Sequence, residues 1–153
     1  MRRKEQEITD RDLLESIIAR ALVCRLGFSM NDTPYVVPVN FGYGDNCLYI
    51  HSSPEGKKIE CINHNDNVCF EMDCDVEIVP AEAPCDWTVR YYSIVGFGRA
   101  HVVTDYEEKI KGLNGIMRHY SGVSPFEFPE SKVNRAAVIR IDIESMTGKK
   151  AGY

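Results

Sequence analysis

The sequence predicts an α+β fold, predominantly antiparallel β, arranged as a barrel and carrying two to three helices. About six runs alternate polar and apolar residues with the period of two that sends successive side chains to opposite faces of a strand. Clusters of Gly, Pro, Asn and Asp separate these runs at turn spacing. Two longer stretches have helical spacing, without the regular strand-helix-strand alternation of a doubly wound parallel sheet.

In chain order, Thr9 with Asp12 reads as a capping box, and Leu13, Leu14, Ile17, Ile18 and Ala21 follow at helical spacing. A helix of about three turns is therefore expected over residues 10–21. Residues 22–30 read as a strand, Asn31-Asp32-Thr33-Pro34 as its turn and residues 35–43 as the next strand. Pro38 stands inside that second strand. A proline cannot donate to the ladder, so it marks an edge, a bulge or backbone that faces something other than a strand.

Gly44-Asp45-Asn46 reads as a hairpin turn into a strand over residues 47–52. Alternation places Cys47, Tyr49 and His51 on one face and Leu48, Ile50 and Ser52 on the other. A short helix over residues 55–63, a strand over 67–77 and a proline-bearing loop over 78–86 come next. The longest β run covers residues 87–104, and its Gly96 and Gly98 predict a bend where a barrel curls. Asp105 opens a second long helix with Tyr106, Ile110, Leu113 and Met117 in one stripe. A Pro- and Phe-containing loop, 121–130, precedes a last strand, 136–143, and a polar tail.

At 153 residues, 44% hydrophobic and 27% charged, residues 1–153 have the size and composition of one domain. The net charge of -5 argues against wrapping a nucleic acid, which draws on clustered Lys and Arg. The N-terminus is charged throughout, and no window approaches the roughly 18 apolar residues of a membrane span. A cytoplasmic protein with six free thiols is the expectation. Cys61, His64, Cys69 and Cys74 have the spacing of a permuted zinc knuckle. Cys69 and Cys74, five apart in a strand, point to opposite faces, so four ligands do not converge and no metal site is expected. There is no GxSxG elbow for a hydrolase.

The segment Ser52-Ser53-Pro54-Glu55-Gly56-Lys57-Lys58 leaves a strand and enters a helix. Hydroxyls, a close-approach glycine, ammonium groups and the free N–H groups of a helix start suit a phosphate. Lys57 and Lys58 point about 100° apart on a helix, so one faces the ligand and the other solvent. His51, just before this loop, is placed to donate a proton beside a bound ring. Packed wall and solvated helix start are the plainer readings of the same residues.

The chain resembles the pyridoxamine phosphate oxidase-like flavoproteins with a split β-barrel, in particular the nitroimidazole-resistance branch. The resemblance runs through Ala21–Gly27, Tyr35–Phe41, Leu48–Ser52, Gly56-Lys57-Lys58, Cys85-Asp86-Trp87, Arg90–Gly98 and Ile143–Lys149. It implies a homodimer with FMN at the subunit interface. Carried over by position, Pro38, Val39 and Asn40 line the flavin ring, Ser52, Gly56, Lys57 and Lys58 hold the phosphate, and His51 lies at the active site. Ser93 stands where pyridoxamine phosphate oxidases carry a flavin-contacting glutamine. Their C-terminal Arg and His pattern is missing, so the resemblance implies reduction of a small, for example nitroaromatic, acceptor rather than vitamin B6 oxidation. A flavin-binding or storage module without turnover, and a deazaflavin- or haem-linked member of the same fold, are the alternatives.

Overall fold

Asn40 and Phe41 join the two outermost strands of one antiparallel sheet, and the molecule is arranged about this corner. The computed structural model describes residues 4–153. Its elements are β1 (Glu7–Ile8), α1 (Arg11–Arg20), β2 (Cys24–Met30), β3 (Thr33–Val39), β4 (Gly42–Gly44), β5 (Cys47–Ser52), α2 (Lys57–His64), β6 (Asn67–Val79), β7 (Thr88–Val102), α3 (Tyr106–Ser121), α4 (Glu130–Arg135) and β8 (Ala137–Ala151). The strand order is β3-β2-β6-β7-β8-β5-β4, with β1 added to β8. The fold is thus α+β and mainly antiparallel, as expected. Its edge strands β3 and β4 are consecutive in the chain but unpaired with each other, so the barrel is split.

Local chemistry accounts for most element boundaries. Asp10, not Thr9, caps α1 by accepting from the Leu13 N–H at 2.9 Å. Asn31-Asp32 and Asp45-Asn46 all have φ between 51° and 58°, the left-handed pair that closes a tight two-residue hairpin. The expected strand over 35–43 is two strands, β3 and β4, because the chain turns at the corner. Pro34 and Pro38 are tolerated because β3 is an edge. Ile78 and Val79, expected in a loop, extend β6 opposite Val89 and Thr88.

The expected bend at Gly96 and Gly98 is present as a register shift between β7 and β8, with Glu144 as the extra residue. An added Cβ at Gly96 would lie 2.1 Å from the Phe70 ring, so this glycine is a seat for a core aromatic. The polar tail is not a tail: residues 144–151 continue β8 and pair with β7 as far as Tyr91↔Ala151. α4 was not expected, and it makes four α-helices among the described residues.

The main core lies inside the barrel and under α1, where Ile17, Ile18, Leu26, Leu48, Phe70, Met72, Ile94 and Ile139 are fully buried. Each such side chain contributes about 1.5–3 kcal/mol by leaving water. A second cluster, Cys47, Tyr49, Val103 and Val138, sits on the opposite face of β5 and β8 beneath α3. This is the two-faced β5 that alternation predicts.

Of the expected apolar stripe of α3, Tyr106, Ile110, Leu113 and Met117, Leu113 packs on the second cluster together with Ile116, and none of the four is fully buried. The buried residues of α3 are Gly112 and Asn114, and Gly112 lies against the Tyr49 ring. Gly42 on β4 meets the α3 backbone directly: an added Cβ would lie 2.3 Å from the Gly115 carbonyl carbon and 2.4 Å from the Ile116 nitrogen. Gly42→Ala should therefore destabilise by about 1–3 kcal/mol, the range for overpacking a close contact. Urea unfolding checks this, with Gly44→Ala as the control because an added Cβ there meets nothing within 4 Å.

Candidate functional site

The split in the barrel opens onto a cavity of about 510 Å³, within the range of small-molecule sites, about 300–1,000 Å³. One wall is the end of β3 and the corner, Pro38, Val39 and Asn40, together with His51 at the end of β5 and Lys58 on α2. The opposite wall is Leu113, Ile116 and Met117 of α3, Phe128 of the following loop, and Lys132, Val133 and Ala136 of α4 and its C-terminal cap. Among the described residues no carboxylate lines it.

Each wall is held from behind. Phe41, fully buried, stacks at a tilt on His119 with ring centroids 4.3 Å apart. Its N–H donates to the Tyr120 hydroxyl at 3.1 Å, which donates to the Leu22 carbonyl at 3.0 Å. The last turn of α3 is thereby tied to the corner and to the segment that enters β2. At its other end α3 is capped by Asp105, which accepts from the Glu108 N–H, and Glu108 pairs with Arg140 of β8. Asn114 is buried and accepts from the Phe126 N–H at 2.6 Å, which brings the loop bearing Phe128 back over the cavity. Val133 is buried, and the Lys109 ammonium donates to the Ala136 carbonyl at 3.0 Å, so α4 is fixed to α3.

Of the residues expected at a site, Pro38, Val39, Asn40, His51 and Lys58 come together here. Ser52 does not line the cavity; it is buried on the core face of β5, cross-strand from Ala137. Gly56 precedes α2 with φ of 116°, a backbone conformation open to glycine and strained for other residues. It leaves the first N–H groups of α2 without intrahelical acceptors, the Glu60 N–H being the first to bond back, to the Gly56 carbonyl. Lys57 turns away and lies 4.4 Å over the Tyr35 ring. Ser93 is on β7, paired with Asp73 and Lys149, and shares with Val95 and Phe97 the outer face of the sheet.

That outer face carries charged pairs such as Arg25 with Glu71, and one apolar row between them. In register across the strands lie Val36, Gly27, Cys69 and Phe97, with Val36 62% and Phe97 54% exposed. Pro38 is on the same face of β3 as Val36, so the cavity and this patch adjoin.

The thiols take no part in the cavity. Burial pushes Cys24 up to about 12, and burial together with the Asp142 hydrogen bond raises Cys47. Both therefore remain protonated and poorly nucleophilic. Cys69 is exposed and Cys74 buried, on opposite faces of β6 as their spacing predicts. Among the described residues no helix is long and apolar enough to cross a membrane.

A family model described as pyridoxamine 5′-phosphate oxidase matches residues 10–150. Among solved structures, the chain is similar to a protein of Bacteroides thetaiotaomicron described as a candidate 5-nitroimidazole antibiotic resistance protein. The two are 37% identical with a TM-score of 0.83, over 94% of this chain and 86% of that one. The fold also matches a flavocytochrome of Azotobacter vinelandii, with 19% identity and TM-score 0.81 over 100% of this chain and 72% of that one. An FAD-binding protein of Mesorhizobium loti is 24% identical with TM-score 0.69, over 96% and 98% of the two chains. An uncharacterized protein of Rhizobium meliloti is 29% identical over 65 residues, so the match spans 42% of this chain and 42% of that curated relative.

Proposed function

The chain belongs to the pyridoxamine 5′-phosphate oxidase family, and from that premise we propose that it is an FMN-dependent oxidoreductase of the nitroimidazole-resistance type that reduces a small acceptor such as a nitroaromatic. The observation that carries this reading is the meeting of Pro38, Val39, Asn40, His51 and Lys58 around one cavity.

The residues present fit the cofactor. The end of β3 is a sheet edge, so its outer row of backbone groups lacks a strand partner and can hydrogen-bond a heterocycle laid along it. Lys58 and the free N–H groups at the start of α2 suit the phosphate. When bound, flavin supplies the electron and hydride chemistry. The residues of the chain then hold, orient and shield. Lys58 retains the phosphate, residues 38–40 set the plane of the ring, and Leu113, Ile116 and Met117 exclude water from one side. His51, exposed at the cavity, supplies a proton to the acceptor.

A homodimer with flavin at the subunit interface completes the proposal. The exposed row of Val36, Cys69 and Phe97 is the kind of contiguous apolar face that a second copy covers. Ser93, on that same face but away from the cavity of its own chain, would serve the site of the other copy.

An absorbance spectrum of the purified protein from about 300 to 600 nm, the window of flavin bands, with chromatography of the heat-released ligand, tests the cofactor. Sedimentation tests the dimer. FMN bands are the expected result. A colourless protein that takes up no FMN on titration would overturn the reading. In Lys58→Ala the FMN Kd should rise by about 10- to 100-fold, the loss of one charge-assisted hydrogen bond, while riboflavin, which lacks the phosphate, binds as before.

A further inference from the structure

The cavity faces the ligand with two ammonium groups, one from each wall: Lys58 of α2 and Lys132 of α4. Several other cations of this acidic chain are paired with carboxylates, as in Arg25–Glu71, Arg99–Asp66, Lys111–Asp45 and Arg140–Asp142. Neither Lys58 nor Lys132 has a hydrogen-bonding or ionic side-chain partner among the described residues, and the cavity holds no carboxylate to neutralise them. Two uncompensated like charges around one concavity raise its potential and favour entry of an anion.

The topology says which end of the cavity Lys132 serves. The carbonyl of Lys132 accepts from the Ala136 N–H at 3.1 Å, one helical turn along. The next residue, Ala137, is the cross-strand partner of Ser52, from which the loop to Lys58 departs. α4 therefore enters β8 beside the loop that leads to α2. Buried Val133 fixes the helix in that position and leaves Lys132 on its exposed side.

We propose that Lys132 is the second jaw of the phosphate site, so that α2 and α4 grip one phosphomonoester between Lys58 and Lys132. This rests on the flavin reading above. A terminal phosphate carries a charge of about −1.5 to −2 near pH 7, which two ammonium groups match and one does not. The clamp makes FMN, rather than riboflavin, the retained form, and it explains why no carboxylate lines the cavity.

The test is titration of flavin-stripped full-length protein with FMN and with riboflavin, for wild type, Lys132→Gln and Lys132→Arg. Lys132→Gln should weaken FMN binding by about tenfold or more and leave riboflavin binding unchanged. Lys132→Arg should restore most of the FMN affinity, and the salt dependence of FMN binding should be shallower in Lys132→Gln than in wild type. Equal loss for FMN and riboflavin would mean that Lys132 only holds α4 in shape, and would overturn the clamp. Unchanged FMN binding in Lys132→Gln, with wild type still preferring FMN over riboflavin, would also overturn it and leave the flavin reading standing. The same holds if the KM of an acidic acceptor rises instead, since the lysine would then grip the acceptor. A wild type that binds neither flavin ends both proposals.

Discussion

His51→Ala should leave the flavin in place and slow reduction of the acceptor by about 10²–10⁴-fold, the usual contribution of a positioned acid. The residue is the last but one of β5, opposite Val138, and its side chain lies at the cavity rather than in either core. Its backbone stays in the sheet when the ring is removed, and exposed substitutions of this kind usually change stability by no more than about 0.5 kcal/mol. A fall in rate would therefore report chemistry and not unfolding. The experiment avoids the unknown electron donor: the protein is reduced chemically, mixed without oxygen with a nitroaromatic, and followed by the return of flavin absorbance. An unchanged rate would make His51 part of the wall and move the proton source to solvent.

Phe41→Ala should cost about 3–5 kcal/mol, as for other fully buried aromatic side chains. Phe41 is 0% exposed and sits at the corner between β3 and β4, packed on His119 and edge-on to Tyr120. Its removal opens a void at the one place where the two edges of the sheet meet the end of α3. Urea unfolding measures the loss directly. For a chain of this size the melting temperature falls by about 2–4 °C per kcal/mol, so a drop near 10 °C is expected. A loss below about 1 kcal/mol, less than typical core truncations, would show that the corner is held by the Tyr120 hydroxyl bridge alone. Tyr120→Phe would then carry the larger effect.

The strands were legible where one face is wet and the other dry. Cys69, Glu71 and Asp73 alternate with Phe70, Met72 and Cys74, and the structure buries the second set. Residues 144–151 were not legible because they pair in a ribbon with few fully buried side chains, so hydropathy has no period to report. The docking face of α3 was hidden for the opposite reason. Gly112, Gly115 and Gly42 bring backbone against backbone, and a glycine contact leaves no apolar mark. Half of the candidate site lies close in sequence: His51 and Lys58 were legible in the strand-loop-helix chemistry, and Pro38–Asn40 through resemblance. The other half, Leu113, Ile116, Met117, Phe128 and Lys132, is joined to it only by the fold. A single signal was available for it, the long helical stripe, whose Leu113 and Met117 line the cavity. α4 has six residues and no side-chain cap, which places it below the length at which periodicity distinguishes a helix from a loop.

The crossover between β7 and β8 has a consequence for how such proteins diversify. Everything in the far wall of the cavity, from Leu113 to Ala136, comes from this one connection, while the near wall is built from β3, β5 and α2. The sheet register runs directly up to both ends of the connection, at Val102↔Ile139 in β7 and β8 and at Ser52↔Ala137 in β5 and β8. Changes within this single contiguous stretch of gene can therefore reshape one whole wall of the cavity while β3, β5 and α2 keep theirs, provided the contacts of Phe41 and Gly42 with α3 are preserved.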